Sequence, residues 1–260
     1  MMVPLPLEIL GIRKRFGGLQ VLDGLDLTVG GQDGQTVAIL GQNGAGKTTL
    51  LNLVTRLLDP DGGHIRINGH DVLSMKASQL ARLGVGRTFQ SPRLLLDQSV
   101  IDNVVLGSIA KSHWRQGVAD HHVDAAYRAL GLVGLTDSAL RPASELAFGY
   151  RKLIDLARTL AGNPSLLLLD EPAAGLSSVE EADLAEILQR VAKSGVTVVL
   201  VEHRMHLVRN VAERVVFMSA GAILFDGSVV DALSSDVVRE GYLGSSAHAI
   251  SDLGEGGVAK

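Results

Sequence analysis

The stretch TVAILGQNGAGKT, residues 36–48, decides the fold. It opens with an apolar, partly β-branched run that predicts a buried strand, passes through a glycine-rich turn, and ends in Lys-Thr. The residues that follow, TLLNLVTRLL at 49–58, have the apolar spacing of a helix. A strand, a glycine-rich turn and a helix in this order predict an α/β unit with a phosphate-binding turn.

The turn matches the pattern G-x-x-x-x-G-K-[ST] at 41–48, with Gly44 as a further glycine. Glycine lets the backbone fold tightly and point its N–H groups inward, towards the phosphates of a nucleotide. The helix N-terminus near Lys47 adds positive potential, the Lys47 ammonium reaches the outer phosphates, and the Thr48 hydroxyl is placed to bind Mg²⁺. The predicted nucleotide-binding residues are Gly41, Gln42, Asn43, Gly44, Ala45, Gly46, Lys47, Thr48 and Thr49.

The composition is that of a globular protein. Of 260 residues, 46% are hydrophobic and 20% are charged, and the formal net charge is -4. This balance excludes a disordered chain and offers no basic surface, so nucleic acid is not expected as a partner. Cysteine is absent, which excludes disulfides and thiolate chemistry and suits the cytoplasm. The start MMVPLPLEIL lacks the features of a signal peptide, and no stretch approaches the roughly 18 apolar residues of a membrane span.

Hydrophobic periodicity predicts a β-rich start, a helical middle and an α/β remainder. The predicted strands are 7–13, 25–29, 36–40, 64–67, 85–89, 166–170, 196–201, 215–218 and 222–225. The predicted helices after 49–58 are 78–83, 100–106, 119–130, 150–161, 178–193, 206–212 and two short ones within 229–243. Buried strands that alternate with helices indicate a largely parallel sheet.

The predicted fold class is therefore α/β. It has a P-loop NTPase core with a mainly parallel sheet, an antiparallel β subdomain on the N-terminal side and an inserted α-helical subdomain. We expect a single nucleotide-binding domain over residues 1–243, with the helical subdomain at about 91–163. Residues 244–260, rich in Gly, Ser and Ala, are expected to form a flexible tail.

A second chemical cluster follows the apolar strand of SLLLLDEP, residues 165–172. At the end of a buried strand, Asp170 can hold Mg²⁺, while Glu171 can polarise a water for attack on the γ-phosphate. By itself, an acidic pair after a strand is more often a helix cap than a catalytic site. The phosphate-binding turn in the same chain reverses that preference.

With both motifs present, the chain resembles the ATP-binding cassette (ABC) family from residue 7 to about 243. The resemblance implies that Gln90, after VGRTF, binds Mg²⁺ and connects to transmembrane subunits. It also implies that His203, after TVVLVE, is a switch histidine that contacts the γ-phosphate. Phe16 in KRFGG matches the aromatic residue that stacks on adenine. The implied catalytic residues are Glu171, His203, Gln90 and Lys47, and the implied Mg²⁺ ligands are Thr48, Gln90 and Asp170.

The resemblance places the family's signature sequence, usually LSGGQ, at LAFGY, residues 146–150. The residues expected to contact ATP bound to a second ATPase subunit are Ala147, Phe148 and Gly149. Ala147 lacks the serine hydroxyl that usually meets the γ-phosphate, a bond worth roughly 1.5–3 kcal/mol. Tyr150 replaces the glutamine, and Ser177 stands where an aspartate is common. We therefore expect a less efficient half-site, in which the Gly149 amide and the helix N-terminus remain available.

Within the family, RTFQSPRLLLDQSVIDNVVLG at 87–107, EPAAGLS at 171–177 and REGYLG at 239–244 are most similar to ATPase subunits of branched-chain or hydrophobic amino acid importers. The resemblance implies ATP and Mg²⁺ as cofactors. It implies transmembrane permease subunits and a second, identical or different, ATPase subunit as partners, with an extracytoplasmic solute-binding protein acting indirectly. The implied location is the cytoplasmic face of the inner membrane.

Other functions remain open at this point. Related importers for urea and short amides have similar sequences, and a lipid or lipopolysaccharide exporter subunit has a similar length. A soluble ABC ATPase of DNA repair or translation usually has paired cassettes, long coiled coils or basic arms, and the sequence shows none. A small-molecule kinase would use the phosphate-binding turn but would leave Gln90, His203 and the signature without a purpose.

Overall fold

The computed structural model describes residues 6–30, 34–109 and 118–243. The predicted tail at 244–260 lies outside these residues, as do the first five residues and part of the loop before the strand at 36–40.

Ten strands lie in the described part of the chain. They are β1 (Leu7–Phe16), β2 (Leu19–Val29), β3 (Thr36–Gly41), β4 (Gly62–Ile67), β5 (His70–Asp71), β6 (Val85–Arg87), β7 (Leu166–Asp170), β8 (Thr197–Val201), β9 (Arg214–Ser219) and β10 (Ala222–Ser228).

The described α-helices alternate with the later strands and fill the middle of the chain. They are α1 (Lys47–Val54), α2 (Ala77–Leu80), α3 (Val100–Ile109), α4 (Asp120–Val133), α5 (Phe148–Ala161), α6 (Ser178–Lys193), α7 (Met205–Val211), α8 (Val229–Ser234) and α9 (Asp236–Leu243). None of these described helices has both the length and the apolar character that a membrane span requires.

The strands form two sheets, and this arrangement confirms the predicted fold class. The larger, six-stranded sheet has the order β10-β9-β3-β8-β7-β6. Its neighbours pair in parallel except β9 and β10, which are antiparallel. The smaller sheet has the order β2-β1-β4-β5, and its pairs are antiparallel. Since β3 is an inner strand of the larger sheet, the turn that follows it lies midway along the sheet edge formed by the carboxyl ends of the parallel strands.

The sequence patterns account for the difference between the sheets. Strands β7 and β8 are buried along their whole length, as expected for parallel strands covered on both faces. Strand β1 alternates between buried and more exposed residues, as expected for a sheet with one solvated face. The apolar runs therefore select the central parallel strands, and the alternating run selects the peripheral sheet.

Helices α3, α4 and α5 pack against one another and against the larger sheet. Val104, Leu130 and Ile154 are fully buried in one cluster that also contains Leu167 of β7. An isolated antiparallel bridge joins Ser99 to Pro142 within this region. These helices lie within the predicted insertion at 91–163, whose exact boundaries stay a prediction.

Several element bounds differ from the predicted ones. The first two strands are longer than predicted, because they continue as a hairpin to the pair Phe16–Leu19. The predicted strand 85–89 ends at Arg87, after which the chain leaves the sheet towards Gln90. The predicted helix 78–83 is α2 followed by a 3₁₀ turn at Ala81–Leu83. The strand bounds depend on long-range pairing, which local periodicity does not report.

Candidate nucleotide-binding and hydrolysis site

The turn between β3 and α1 is pressed between neighbouring strands. Gly41 has a φ of 149°, and a Cβ there would lie 2.1 Å from the carbonyl oxygen of Met218 in β9. Gly46 has a φ of 98°, and its Cβ would lie 2.7 Å from Leu22 Cδ2 in β2. Both positions therefore require glycine for backbone conformation and for space.

Lys47 begins α1 and is buried, with 9% of its surface exposed. Its Nζ donates to the carbonyl oxygen of Gly41 at 2.5 Å and to that of Gln42 at 2.9 Å. Burial lowers the pKa of Lys47, while Glu171 and Asp170 act to raise it. The ammonium is thus held over its own loop and faces two carboxylates.

The other predicted phosphate-loop residues differ in exposure. Ala45 and Gly46 are buried, and Thr49 is half-buried. The exposed members of the loop and of the first helical turn are Gln42, Asn43, Gly44 and Thr48. The Gln42 side chain also donates to the carbonyl oxygen of Gly241 in α9, at 3.0 Å.

Asp170, the last residue of β7, is buried beside Thr48 and Arg87. Its Oδ1 lies 3.5 Å from Thr48 Oγ1, and its Oδ2 lies 3.4 Å from Arg87 Nη2. Burial raises the pKa of Asp170, and the Arg87 guanidinium opposes that rise. Arg87 also donates to Thr55 Oγ1 at 2.7 Å, which fixes the guanidinium between α1 and β7.

The donor set around Asp170 fits Mg²⁺. Thr48 and Asp170 present oxygen atoms to each other, and oxygen is the ligand that Mg²⁺ prefers. In the described residues no group of three or more His, Cys, Asp or Glu side chains could hold a metal ion. Two oxygen ligands from the chain suit an ion that completes its coordination shell with phosphate oxygens and water, as Mg²⁺ does.

Glu171 has a separate set of neighbours. Its φ is 48°, in the left-handed region, and its backbone N–H donates to the carbonyl oxygen of Val201 at 2.9 Å. Its Oε2 accepts a hydrogen bond from Gln90 Nε2 at 2.7 Å. The two adjacent carboxylates thus separate, with Asp170 beside Thr48 and Glu171 beside Gln90.

His203 lies just beyond the end of β8, the strand between β3 and β7. Its imidazole is exposed, and its backbone N–H donates to Glu202 Oε2 at 2.9 Å. Because parallel strands end at the same edge of a sheet, His203 lies at the edge where Lys47 and Asp170 also lie.

Phe16 lies at the tip of the β1–β2 hairpin. It is 46% exposed, and Lys14 Nζ lies 5.4 Å from the centroid of its ring. Strand β2 of the same hairpin touches the phosphate loop, since Leu22 limits the space at Gly46. The contact of Phe16 with adenine stays a prediction.

The signature residues surround the start of α5. Ala147 is the N-cap and makes no side-chain cap hydrogen bond. Gly149 is buried, and a Cβ there would lie 2.1 Å from Glu180 Oε1. The exposed surface of this signature is therefore made by Ala147, Phe148 and Tyr150.

Ser177, where the family often has an aspartate, caps α6. Its Oγ accepts a hydrogen bond from the Glu180 N–H at 3.3 Å, and Glu180 Oε2 accepts one from the Ser177 N–H at 2.8 Å. These reciprocal bonds form a capping box. They also place the Glu180 carboxylate against Gly149.

Sequence reasoning missed two charged residues that adjoin the strands of the site. Arg87, at the end of β6, contacts Asp170, and Glu202, just after β8, is 1% exposed. A signal was present for both, because each adjoins an apolar strand and a charge enters such surroundings only with partners.

Sequence reasoning also missed two charged residues of α5. Lys152 donates to the carbonyl oxygens of Glu171 and Pro172. Asp155 is buried and contacts Arg158, and burial raises the pKa of Asp155. The sequence gives no direct signal for them, because a charged residue on an amphipathic helix is ordinarily assigned to its exposed face.

The fold and this sheet edge define a P-loop ATPase. A phosphate loop, an oxygen donor pair and a carboxylate with a glutamine partner meet at the ends of parallel strands, and helix α5 carries the signature at its N-terminus.

Comparisons with known proteins identify the family. The model of the family described as "ABC transporter" matches residues 22–174. The high-affinity branched-chain amino acid transport ATP-binding protein BraF of Pseudomonas aeruginosa is 35% identical over 250 residues, covering 92% of this chain and 97% of BraF. The phosphonates import ATP-binding protein PhnC of Nitratidesulfovibrio vulgaris is 36% identical over 241 residues, covering 90% of each chain. The chain belongs to the ABC transporter family and is an ATP-binding cassette ATPase.

A solved structure supports the same assignment. The crystal structure of an ATP-binding cassette of an ABC transporter, in its ADP conformation, matches with a TM-score of 0.83 and 29% sequence identity. The match covers 94% of this chain and 100% of that chain. The cassette fold therefore extends beyond residues 22–174 to most of the molecule.

Proposed function

We propose that this chain hydrolyses Mg-ATP as the ATPase subunit of an importer for branched-chain or other hydrophobic amino acids. The observation that carries the chemistry is the position of three groups at one sheet edge: Lys47 bonded to its own loop, Asp170 beside Thr48, and Glu171 bonded to Gln90. Similarity to BraF over 92% of the chain supports the transported substrate class.

The residues divide the work of hydrolysis. Lys47 and the loop amides hold the phosphates, and Phe16 stacks on adenine. Thr48, Asp170 and Gln90 would hold Mg²⁺, which neutralises phosphate charge. Glu171 accepts the proton of the attacking water, and His203 contacts the γ-phosphate.

Gln90 connects two of these roles. Its amide nitrogen donates to Glu171 at 2.7 Å, so its amide oxygen is the atom that can serve as a metal ligand. A movement of the Gln90 segment would therefore change the surroundings of the base and of the metal together.

A second ATPase subunit completes the site. Ala147 and Phe148 are exposed at the N-terminus of α5. Their position suits contact with ATP that is held in the phosphate loop of the other subunit. In the same way, the signature of the other subunit would close over the ATP bound by Lys47.

The permease is the third partner in this proposal. An apolar groove of about 560 Å³ lies beside α3, and the segment after Gln90 lines it together with that helix. Its exposed leucines are Leu95, Leu96 and Leu106. A short helix of a permease subunit that packs there would act on Gln90 through the connecting segment. The chain would then be bound at the cytoplasmic face of the inner membrane, and a solute-binding protein would act on it only through the permease.

Gene deletion and uptake measurements test the substrate. The uptake of labelled leucine, isoleucine and valine is compared with that of a phosphonate, because the sequence identity of PhnC to this chain is similar to that of BraF. We expect branched-chain amino acid uptake to fall in the deletion strain and to return with the wild-type gene. The Lys47→Ala gene should not restore it. Loss of phosphonate uptake alone would contradict the proposed substrate class and leave the ATPase assignment intact.

A further inference from the structure

The backbone after the acidic pair is held from two sides by buried charges. Lys152, on α5, is 9% exposed, and its Nζ donates to the carbonyl oxygens of Glu171 at 3.1 Å and Pro172 at 3.0 Å. Glu202, which follows β8, is 1% exposed, and its Oε1 accepts the N–H of Ala173 at 2.9 Å. A cation and an anion thus bind the peptide groups of one short segment.

The backbone of Glu171 needs such support. Its φ of 48° is unusual for a residue with a side chain, and a conformation of this kind persists only where the surroundings impose it. Lys152 binds the carbonyl oxygen of Glu171, while the N–H of Glu171 donates to Val201. Both polar ends of the residue are therefore fixed, which sets the direction of the carboxylate that bonds Gln90.

Glu202 extends the same support to the switch histidine. Its second oxygen, Oε2, accepts the N–H groups of His203 at 2.9 Å and Arg204 at 3.1 Å. One buried carboxylate therefore joins the backbone at Ala173 to the backbone at His203. Burial lowers the pKa of Lys152, and the nearby carboxylates of Glu202 and Glu171 act to raise it.

Lys152 also connects this arrangement to the signature helix. It stands one helical turn after Phe148, and its Nζ lies 5.6 Å from the Phe148 ring centroid. Helix α5 would therefore contact the partner's nucleotide through its first residues, while Lys152 holds the backbone of the base in its own chain.

We propose that Lys152 and Glu202 are positioning residues that hold Glu171 and His203 in the geometry for hydrolysis, with Lys152 connecting the signature helix to the base of the same chain. This inference rests on the proposed role of Glu171 as the base. In the proposed mechanism, neither Lys152 nor Glu202 contacts the reacting atoms. Both residues therefore affect kcat through the backbone that they hold.

The first test separates kcat from nucleotide binding in the full chain. Lys152→Met should lower kcat roughly 10- to 100-fold, the effect expected of a small displacement of a catalytic group. The KM and the Kd for Mg-ATP should stay within about twofold. Lys152→Arg keeps a cation and should recover most of the activity, and Lys193→Met is the control at an exposed lysine. A parallel loss of binding and of kcat in Lys152→Met, or no rescue by Lys152→Arg, would overturn the proposal.

Glu202→Gln provides an independent variant of nearly the same shape, with Glu186→Gln as the exposed control on α6. The amide group can accept at one oxygen only, so the bonds to Ala173 and His203 cannot both be kept. We expect kcat to fall about tenfold with unchanged ATP affinity. Thermal unfolding of each variant checks that the fold is retained, and full activity in Glu202→Gln would remove this residue from the proposal.

A double-variant cycle distinguishes this inference from the role of Glu171 itself. If Lys152 acts through Glu171, Lys152→Met should lower turnover by less than about twofold in a Glu171→Gln background. An equal effect in both backgrounds would refute the inference and leave the base assignment standing. Normal turnover in Glu171→Gln alone would refute the base assignment instead.

Discussion

The phosphate-loop edge of the sheet and the signature end of α5 differ in how fully this chain completes them. At the sheet edge, Lys47 and Glu171 have hydrogen-bond partners within the chain. At the signature, Ala147 caps its helix without a side-chain bond, and Phe148 is half-exposed. The chain thus holds most of one candidate ATP site and only the exposed border of another, which is why we expect it to act together with a second subunit.

The largest expected effect is at the sheet edge. Lys47→Ala removes a buried cation from the phosphate loop and should weaken Mg-ATP binding by roughly 100-fold or more. A 100-fold change in Kd corresponds to a binding free energy of about 2.8 kcal/mol, since tenfold corresponds to ~1.4 kcal/mol. Nucleotide titration measures this, with Lys193→Ala as the exposed control. An unchanged dissociation constant would show that Lys47 does not bind the phosphates. The sheet edge would then not hold the more complete ATP site.

The second expected effect separates chemistry from binding. Glu171→Gln keeps the shape of the side chain but removes the base, so turnover should fall by about 100-fold or more while ATP still binds. With its partner subunit present, the variant should accumulate as an ATP-bound dimer. Turnover and ATP-dependent dimerisation are measured together. Wild-type turnover would assign the base role to another residue, with His203 as the next candidate.

The two regions also differ in how much the sequence could predict. Strand β7 and helix α6 have the predicted bounds, because an apolar run before Asp-Glu and a run with helical apolar spacing are local signals. The meeting of Thr48 with Asp170 follows from the edge shared by parallel strands. Local patterns therefore sufficed where both partners lie in motifs at the carboxyl ends of parallel strands.

The contacts of Lys152 and Glu202 with the backbone at 171–173 were not predicted, because these backbone groups are distant from both residues in sequence. A carbonyl oxygen or an N–H group has no signature in the sequence, so only the packing of α5 and β8 against the Glu171 segment shows the contacts. The same limit applies to Glu180, whose position against Gly149 depends on how α5 meets α6.

A third effect would sharpen the contrast at the signature. If Ala147 weakens the contact with the ATP of the partner, Ala147→Ser should accelerate hydrolysis at the partner's site by at most roughly tenfold to a hundredfold. Hydrolysis at the site of this chain should not change. Turnover is compared in heteromeric complexes in which either Glu171 or the partner's equivalent base is disabled. Equal acceleration in both complexes, or none in either, would show that the hydroxyl group is dispensable.

The smallest expected effects are changes in stability on altering the N-caps of α5 and α6, which adjoin each other. Ser177→Ala removes the side-chain half of the capping box of α6 and should cost about 1 kcal/mol. Ala147→Ser adds a cap to α5 and should gain about 0.5–1 kcal/mol. Thermal unfolding should show opposite shifts in Tm of a few degrees, since about 1 kcal/mol corresponds to ~2–4 °C at this size. Tm shifts of the same sign in the two variants would mean that α5 and α6 do not differ in side-chain capping.

Acid should affect the two caps differently. The Ser177 N–H and hydroxyl group lower the pKa of Glu180 from its ordinary 4.5, so this carboxylate stabilises the fold above that pH. The stabilisation is lost as the pH falls through the lower, folded pKa. Ser177→Ala keeps the N–H and loses the hydroxyl group, so the part of its Tm deficit that comes from the hydroxyl–carboxylate bond should be lost as the pH falls below 4.5. In α5 the corresponding third helical residue is Tyr150, which carries no carboxylate, so the gain of Ala147→Ser should persist over the same range. A deficit that stays constant in acid would show that the Ser177 hydroxyl group stabilises α6 only through the Glu180 N–H.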